Sequence, residues 1–211
     1  MTKEKVLITG ASSGLGWQLA KEFAKNGHAV LLQGRNLQRL QELKNELGDA
    51  AEISSCELAN QNELKKLAEF ALRKDVKILV NNAGLNCPGK ELWDLSLEQI
   101  NEMIDVNLKA PMILTKLMLS QLTNIININS IVGLEVKKMR SIYSAAKWGL
   151  RGFSQSLKME LEGIEILDFY ATNIKTQPDQ QNAMESDFVA QKIYEAYKNK
   201  ESEFILDGRK K

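Results

Sequence analysis

The chain has 211 residues, 44% of them apolar and 26% charged, with 28 basic and 27 acidic side chains and a formal net charge of +1. This balance is typical of a globular protein that can bury a substantial core, and we expect a single domain over 1–211 without a nucleic-acid or membrane partner. The sequence shows neither a signal-peptide pattern nor an apolar run of ~18 residues, so we expect a cytoplasmic protein.

Short apolar runs alternate along the chain with longer amphipathic segments, as β-strands and α-helices do. Strands are predicted at 5–9, 29–34, 51–54, 76–81, 124–129, 164–170 and 203–206. Helices are predicted at 15–26, 36–47, 60–73, 97–121, 143–162 and 186–199, and Pro111 inside one of them predicts a kink. Because this alternation implies parallel strands joined by right-handed crossovers, the predicted fold class is α/β, a doubly wound parallel sheet of about seven strands.

The first predicted strand leads directly into a glycine-rich turn, Thr9-Gly10-Ala11-Ser12-Ser13-Gly14-Leu15-Gly16, which precedes the first helix. Glycines allow the backbone to turn tightly and to approach a pyrophosphate, and the helix N-terminus presents N–H groups to phosphates. We therefore predict a dinucleotide-binding loop with cofactor contacts at Gly10, Ser12, Ser13, Gly14, Leu15 and Gly16. A glycine-rich turn alone is weak support, so the prediction depends on motifs further along the chain.

The second predicted strand ends in Gln33-Gly34-Arg35-Asn36, with no acidic residue in reach. An acid at this point would bind the ribose 2′-hydroxyl of NAD, whereas arginine accommodates the 2′-phosphate of NADP. Arg35 can bind a phosphate with two parallel hydrogen bonds, so we expect NADP as cofactor, with NAD as the less favoured one. NADPH should bind at least about tenfold more tightly than NADH, and Arg35→Asp should narrow or reverse that difference.

A third motif places Tyr143 four residues before Lys147, with Ser130 upstream. Residues four apart share one face of a helix, so the phenol and the ammonium can face one site. A tyrosine has a reference pKa of about 10, and a fixed neighbouring cation lowers it, which makes proton transfer near neutral pH feasible. The trio therefore indicates acid–base chemistry, with the Ser130 hydroxyl as a hydrogen-bonding partner of the reacting oxygen.

Together these motifs resemble the short-chain dehydrogenase/reductase family, NAD(P)-dependent enzymes with a Rossmann-type sheet. The turn Thr9 to Gly16 fits the family's T-G-x-x-x-G-x-G loop, and Asn81-Asn82-Ala83-Gly84 fits its N-N-A-G segment. Asn107, in Asp-Val-Asn-Leu, fits the helix asparagine that completes a catalytic tetrad with Ser130, Tyr143 and Lys147. The resemblance extends along nearly the whole chain.

The resemblance implies a role for each tetrad residue. Tyr143 would exchange a proton with the oxygen of a carbonyl or alcohol substrate, and Ser130 would hydrogen-bond that oxygen. Lys147 would hold the nicotinamide ribose and lower the pKa of Tyr143. Asn107 would anchor a water molecule that relays protons through Lys147.

The resemblance also implies further cofactor contacts along the chain. They are Glu57, Leu58, Asn82, Ala83, Gly84, Tyr143, Lys147, Ile174 and Thr176. Glu57 stands where the family usually has aspartate near the adenine, and Ala171-Thr172 replaces the usual Pro-Gly. The shape of the segment 171–186 therefore stays open.

The sequence does not name the substrate or the direction of the reaction. The expected substrate-lining residues are Asn86, Cys87, Ile131, Gly133, Leu134, Glu135 and Gln177. The stretch from Gln177 to Ser186 is mostly polar, so we expect a shallow, open site for small or partly exposed carbonyl compounds. The alternative to an enzyme is a non-catalytic NADP-binding sensor or scaffold on the same fold.

Other classes of site lack the residues they need. Cys56 and Cys87 form no CxxC pair and should be free, buried thiols, while the single histidine, His28, leaves no Ser-His-Asp triad and no metal site.

Apolar residues on the predicted helices 97–121 and 143–162 exceed what one sheet contact needs. They are Met103, Ile104, Leu108, Met112, Leu117 and Met118 on the first helix, and Trp148, Leu150, Phe153, Leu157 and Met159 on the second. Either all of them are core, or the two helices pair across a twofold axis as in family members. We expect the second arrangement, in a homodimer or homotetramer.

Overall fold

The computed structural model describes residues 3–86, 89–175 and 183–209, and seven strands in these ranges form one parallel sheet. The order across the sheet is β3-β2-β1-β4-β5-β6-β7. The strands are β1 (Lys3–Ile8), β2 (His28–Gly34), β3 (Ala51–Ser55), β4 (Val76–Asn81), β5 (Asn124–Ile128), β6 (Glu165–Ala171) and β7 (Glu203–Leu206). The predicted α/β fold with a doubly wound parallel sheet is confirmed.

Helices cover both faces of this sheet. They are α1 (Gly14–Lys25), α2 (Leu37–Leu47), α3 (Gln61–Arg73), α4 (Leu97–Ile104), α5 (Ala110–Met118), α6 (Ser141–Glu160) and α7 (Ser186–Lys198). Alternate residues of each strand face opposite sides. In β1, for example, Val6 and Ile8 enter a core shared with α1 and α7, whereas Leu7 enters a second core shared with α3 and α5. No helix within the described residues has the length and apolarity to cross a membrane.

The single helix predicted over 97–121 is wrong in one respect, because the structure divides it. A π-helical segment, Asp105–Lys109, separates α4 from α5. Pro111, where a kink is predicted, lies in the first turn of α5, directly after this segment. The irregular segment itself immediately precedes α5 and contains Asn107.

A row of polar side chains crosses the sheet beneath α6. Asn81, Asn127 and Asp168 are in register on β4, β5 and β6, and all three are buried. Asn81 Nδ2 donates to Asn127 Oδ1 at 2.9 Å, and Asn127 Nδ2 donates to Ser154 Oγ of α6 at 3.2 Å and to Asp168 Oδ1 at 3.3 Å. Lys158 of α6 completes the row with a 2.7 Å contact to Asp168 Oδ2.

Because all seven strands run in one direction, the loops that follow β1 to β6 meet along one edge of the sheet. The chain order reverses between β1 and β4, and in open α/β sheets the crevice outside the strand ends at such a point binds ligands. The glycine-rich turn and Asn82 lie on the two sides of this point, after β1 and β4 respectively.

Candidate active site and cofactor cleft

A cleft of about 700 Å³ opens along the carboxyl ends of the strands. Among the predicted site residues, the structure brings these to its walls: Gly10, Ser12, Ser13, Gly14, Leu15, Gly16, Arg35, Glu57, Leu58, Asn82, Ala83, Gly84, Ser130, Tyr143, Lys147 and Ile174. Asn107 does not line the cleft but is fully buried beside it. Thr176 lies outside the described residues.

The glycine-rich turn is held against the Asn82-Ala83-Gly84 segment by its first residue, Thr9. Thr9 Oγ1 accepts hydrogen bonds from the backbone N–H groups of Asn82 and Ala83, each at 3.0 Å. Gly10 adopts a φ of +68°, and a Cβ there would lie 2.9 Å from Ala83 Cα. A Cβ at Gly16 would collide with the carbonyl oxygen of Gly10. Only glycine therefore allows this close approach of two backbones.

The N-terminus of α1 faces the same cleft. Its cap residue Ser13 makes no side-chain capping hydrogen bond, and the first turn carries no acidic residue. A helix of this kind presents backbone N–H groups and a positive dipole end, which suit a pyrophosphate. The turn and helix thus fit the phosphate part of a dinucleotide.

Gln33 fixes the position of the turn, which the sequence motifs did not indicate. Its Oε1 accepts from the backbone N–H of Gly10 at 3.0 Å, and its Nε2 donates to the carbonyl oxygen of Cys56 at 2.8 Å. This buried amide therefore ties the loops after β1 and β3 together. Cys56 is a free, buried thiol, as expected, and burial raises its pKa to about 11. Cys87 lies outside the described residues.

Arg35 lines the cleft at the carboxyl end of β2 and is more than half exposed. Its Nη1 lies 3.5 Å from Glu57 Oε2 and 3.5 Å from Glu102 Oε1 of α4. A ligand phosphate bound at Arg35 would therefore share the positive charge of the guanidinium with two carboxylates. Glu102 was not among the predicted site residues, because only the fold brings α4 near the end of β2.

Ser130 is positioned by the residue before it. Asn129 Oδ1 accepts from the Ser130 backbone N–H at 2.8 Å, and Asn129 Nδ2 donates to the carbonyl oxygen of Lys147 at 3.1 Å. This buried amide thereby links the end of β5 to α6, and Ser130 lines the same cleft as Tyr143 and Lys147. Apart from its position next to Ser130, no sequence pattern indicated a role for Asn129.

Lys147 is a buried cation, only 4% exposed. Its Nζ donates to the carbonyl oxygen of Ile128 at 3.1 Å and lies 5.7 Å from the centroid of the Tyr143 ring. Burial lowers the pKa of Lys147 to about 8. The predicted pair therefore shares one face of α6, with its ammonium close to the phenol ring.

Asn107 reaches the site from the π-helical segment. Its Nδ2 donates to the carbonyl oxygens of Met103 at 2.9 Å and Leu85 at 3.1 Å. Its Oδ1 is buried and has no hydrogen-bond partner among the described residues. A Cβ at Gly84 would lie 2.9 Å from that oxygen and 3.9 Å from Lys147 Nζ. Glycine at 84 thus leaves space between the asparagine oxygen and the lysine.

The part of the cleft near Tyr143 is lined by only some of the residues expected to meet the substrate. Asn86 and Ile131 line it, whereas Gly133, Leu134 and Glu135 do not. Gln177, like Cys87, falls outside the described residues. Two cations that were not predicted, Lys137 and Arg140, line this end instead. The run Lys137-Lys138-Met139-Arg140 between Ser130 and Tyr143 was the available signal.

The loop after β6 lacks the family's Pro-Gly but is held by other contacts. Thr172 Oγ1 accepts from the Gly208 backbone N–H at 2.9 Å, which joins the loop to the end of β7. Lys175 and Met184 bridge through a 2.8 Å backbone hydrogen bond, and Ala183 lines the cleft.

Within 3–86, 89–175 and 183–209, no three His, Cys, Asp or Glu side chains are arranged to hold a metal ion.

Residues 4–186 match the model of the family described as short chain dehydrogenase. The chain is 36% identical over 201 residues to 3-oxoacyl-[acyl-carrier-protein] reductase FabG of Rickettsia felis, covering 92% of this chain and 82% of the relative. It is 34% identical over 171 residues to NADP-dependent 3-hydroxy acid dehydrogenase YdfG of Escherichia coli (strain K12), covering 76% and 68%. A short-chain dehydrogenase of Sphingobium yanoikuyae in complex with NADPH superposes with a TM-score of 0.88 at 30% identity, covering 96% and 87%.

Proposed function

The chain belongs to the short-chain dehydrogenase/reductase family, an oxidoreductase family, and on this premise we propose that it interconverts a small carbonyl compound and its alcohol with NADP(H). The observation that carries the proposal is that Ser130, Tyr143 and Lys147 line the same cleft as the glycine-rich turn and Arg35. The whole of 1–211 would then act as one NAD(P)-binding domain.

The cofactor proposal depends on the fit of the cleft to a dinucleotide phosphate. The cleft reaches the uncapped N-terminus of α1, which suits a pyrophosphate, and Arg35 suits a 2′-phosphate. The relatives support NADP over NAD, since one is named NADP-dependent and one solved structure contains NADPH. When bound, NADPH would supply the hydride that reduces the carbonyl carbon.

The protein's own residues would handle the proton and the orientation of the substrate. Tyr143 would donate its hydroxyl proton to the carbonyl oxygen as the C–O bond becomes single, and would remove that proton in the reverse direction. Ser130 would hydrogen-bond the same oxygen. The buried Lys147 ammonium would stabilise the tyrosinate that remains and would also bind the cofactor ribose.

Asn107 would support return of the proton to Tyr143. Its buried Oδ1 is an acceptor beside Gly84 and Lys147 Nζ, which suits a water molecule in a relay to solvent. Asn107 would therefore serve as an anchor rather than contact the substrate.

The test is turnover of NADPH against a panel of aldehydes, ketones and oxo acids of graded size, with the Tyr143→Phe variant beside the native protein. We expect turnover that falls by about 10²- to 10⁴-fold in the variant, because the general acid is lost. NADPH binding, followed by fluorescence, should persist in the variant. An open site predicts high Michaelis constants across the panel, so a low constant confined to one bulky apolar substrate would contradict that part.

The second candidate is the NADP-binding sensor or scaffold. Its signature in the same experiment is tight NADPH binding without turnover of any panel member. The presence of all four tetrad residues in or beside the cleft favours the enzyme.

A further inference from the structure

The segment 207–209, which follows β7, joins two loops that contribute to the cleft. Arg209 binds Glu135, in the loop after β5, through both terminal nitrogens. Its Nη1 donates to Oε2 at 3.0 Å, and its Nη2 donates to Oε1 at 2.8 Å. The Gly208 backbone N–H donates to Thr172 Oγ1, in the loop after β6, at 2.9 Å. The segment therefore bridges the loops after β5 and β6.

The Arg209 guanidinium is itself oriented by a second carboxylate. Its Nε donates to Asp207 Oδ1 at 2.9 Å, and its Nη2 donates to Asp207 Oδ2 at 2.8 Å. The side chain of Asp207 is only 7% exposed, so the surrounding protein restricts its position. The guanidinium thus uses one edge for Asp207 and the adjacent edge for Glu135, which the single ammonium of a lysine cannot do. The hydrogen bond from Arg209 also lowers the pKa of Glu135, which keeps this carboxylate charged at neutral pH.

Glu135 connects this ion pair to one wall of the cleft. The backbone N–H groups of Glu135 and Leu134 both donate to the carbonyl oxygen of Ile131, at 2.9 Å each. Ile131 and Val132 line the cleft, whereas Glu135 and Arg209 do not. A contact that holds Glu135 therefore also restrains the wall formed by Ile131 and Val132.

The same segment restrains the wall formed by the loop after β6. Thr172 lines the cleft, and its backbone N–H donates to the carbonyl oxygen of Leu206, the last residue of β7, at 3.3 Å. A Cβ at Gly208 would lie 3.0 Å from Met184 Cγ and 3.3 Å from Thr172 Oγ1. Glycine thus lets the segment pack closely against this loop. Both walls are attached to 207–209, one through a side chain and the other through the backbone.

We propose that Arg209 is a positioning residue that fixes the separation between the wall at Ile131 and the wall at Thr172, and thereby restricts the substrate by its size. This inference rests on the proposed function and adds a determinant of substrate size to it. Arg209 acts through Glu135, because it does not line the cleft itself.

The proposal predicts a change in KM rather than in kcat. Without the ion pair the substrate would have to order a looser wall when it binds, which weakens binding. The hydroxyl-bearing residue Ser130 keeps a separate support, since its backbone N–H donates to Asn129 Oδ1 at 2.8 Å. The proton-transfer geometry should therefore survive the loss of Arg209.

The first test compares the smallest and the bulkiest ketone of the panel that the native protein reduces. In Arg209→Gln we expect KM for the small ketone to rise about three- to tenfold and kcat to change less than about twofold. The small-to-bulky ratio of kcat/KM should fall about three- to tenfold, because a looser wall discriminates less by size. Arg209→Lys should resemble Arg209→Gln. Lys74→Gln, which removes the exposed ion pair with Glu52 at the opposite edge of the sheet, is the control and should keep the native values.

A double-mutant cycle with Glu135→Gln tests whether Arg209 acts through this carboxylate. Each single variant breaks the same contact, so KM of the double variant should lie within about twofold of that of Arg209→Gln. Additive effects would overturn the inference, as would an unchanged size ratio in Arg209→Gln. A loss of NADPH affinity in Arg209→Gln as large as the rise in KM would show that the segment supports the cofactor instead.

Hydrogen exchange decides the role of the ion pair apart from turnover. In Arg209→Gln the amides of 131–139 should exchange at least about threefold faster than in the native protein, whereas those of β4 should keep their rates. If no panel member is reduced, the proposed function fails, and this measurement still decides whether Arg209 holds the loop after β5. Native exchange rates over 131–139 in Arg209→Gln would overturn the inference.

Discussion

At the scale of single residues, the burial of Lys147 has a measurable effect on stability. A charge in a nearly fully buried position disfavours folding unless an interaction repays the loss of hydration. Lys147 is retained there despite this cost, and burial lowers its pKa from 10.5 to about 8. Its value therefore lies in the chemistry of the site rather than in stability.

We predict that Lys147→Met stabilises the cofactor-free protein at pH 7 by up to about 3 kcal/mol. Below pH 8 both folded and unfolded chains carry the charge, so the native protein bears the full cost. Between about pH 8 and 10.5 the unfolded state binds more protons, so native stability rises with pH and the advantage of the variant shrinks. Urea unfolding across this range measures it, with exposed Lys66→Met as control. A pH-independent difference would contradict the prediction.

The second residue-scale prediction concerns the carboxylates around Arg35. Glu102 lies 3.5 Å from the guanidinium and would repel a 2′-phosphate bound there. Glu102→Gln should therefore raise the preference for NADPH over NADH, by about three- to fivefold for such an exposed group. Fluorescence titration with both cofactors measures the ratio. Glu42→Gln, which removes a partner of Arg39 instead, should leave it unchanged. A lower ratio in Glu102→Gln would show that this carboxylate helps to orient Arg35.

At the scale of elements, the helix α6 depends on a charge pair with the sheet. Lys158 is about one quarter exposed, whereas the side chain of Asp168 is 1% exposed and also accepts from Asn127. Removing the lysine would leave a buried carboxylate without its cation, which costs more than the loss of a surface pair.

We predict that Lys158→Met destabilises the protein by about 2 kcal/mol, somewhat below the value for a fully buried pair because the lysine is partly hydrated. The double variant Lys158→Met, Asp168→Leu should recover part of this loss, since replacing both partners with apolar groups removes the unpaired charge. Urea unfolding of the two variants measures the difference. A double variant less stable than the single one would show that the Asp168 bond to Asn127 matters more than the ion pair.

The element boundaries followed from the sequence because strands and helices here have clear apolar periods. The bounds agree to within two residues, except where the π-helical segment interrupts the helix at 97–121. Within that interruption the Asn107 side chain donates to the Met103 carbonyl oxygen, a contact that apolar periodicity does not encode.

The residues of the candidate site could be predicted from the sequence only where they belong to a short motif. The glycine-rich turn and the Tyr143–Lys147 pair are local patterns, so the sequence alone predicted them, and the structure places them along one cleft. Gln33 and Glu102 act across elements distant in sequence, and no local pattern marks them. Lys137 and Arg140 lie in an irregular loop, where charge alone does not tell a cleft wall from a solvated surface.

At the scale of the whole molecule, the structure buries several of the apolar residues on α4, α5 and α6 that suggested assembly. Met103, Met118, Leu150 and Leu157 belong to the protomer core. Fewer of these positions are exposed. They are Met112 on α5, which is 39% exposed, and Trp148 and Met159 on α6, which are 43% and 90% exposed. Gly152, on the same side of α6 as Trp148, has open space where a Cβ would be. This face of α6 could therefore approach a second copy closely.

We predict a homodimer or homotetramer that pairs through this face. Light scattering after size exclusion at micromolar concentration measures the mass of the native protein. Trp148→Lys should shift it toward the monomer, because a charge would enter the apolar contact. Phe188 is exposed on α7, on the opposite face of the sheet. Phe188→Lys is therefore the matched control and should leave a dimer that forms through α6 intact. A native monomer would contradict the prediction.

The polar row beneath α6 also bears on the geometry of the proposed active site. Apolar helix faces can slide by a residue at modest cost, since dispersion contacts have no preferred partner. Ser154 Oγ accepts from Asn127 Nδ2, and Lys158 Nζ donates to Asp168 Oδ2. These two contacts permit only one alignment of α6 on the sheet. A slip of one residue would rotate every α6 side chain by about 100° around the helix axis and turn the phenol of Tyr143 away from the cleft. Engineering of this protein should therefore retain the sheet-facing polar residues of α6, because they set the angle at which Tyr143 meets the cleft.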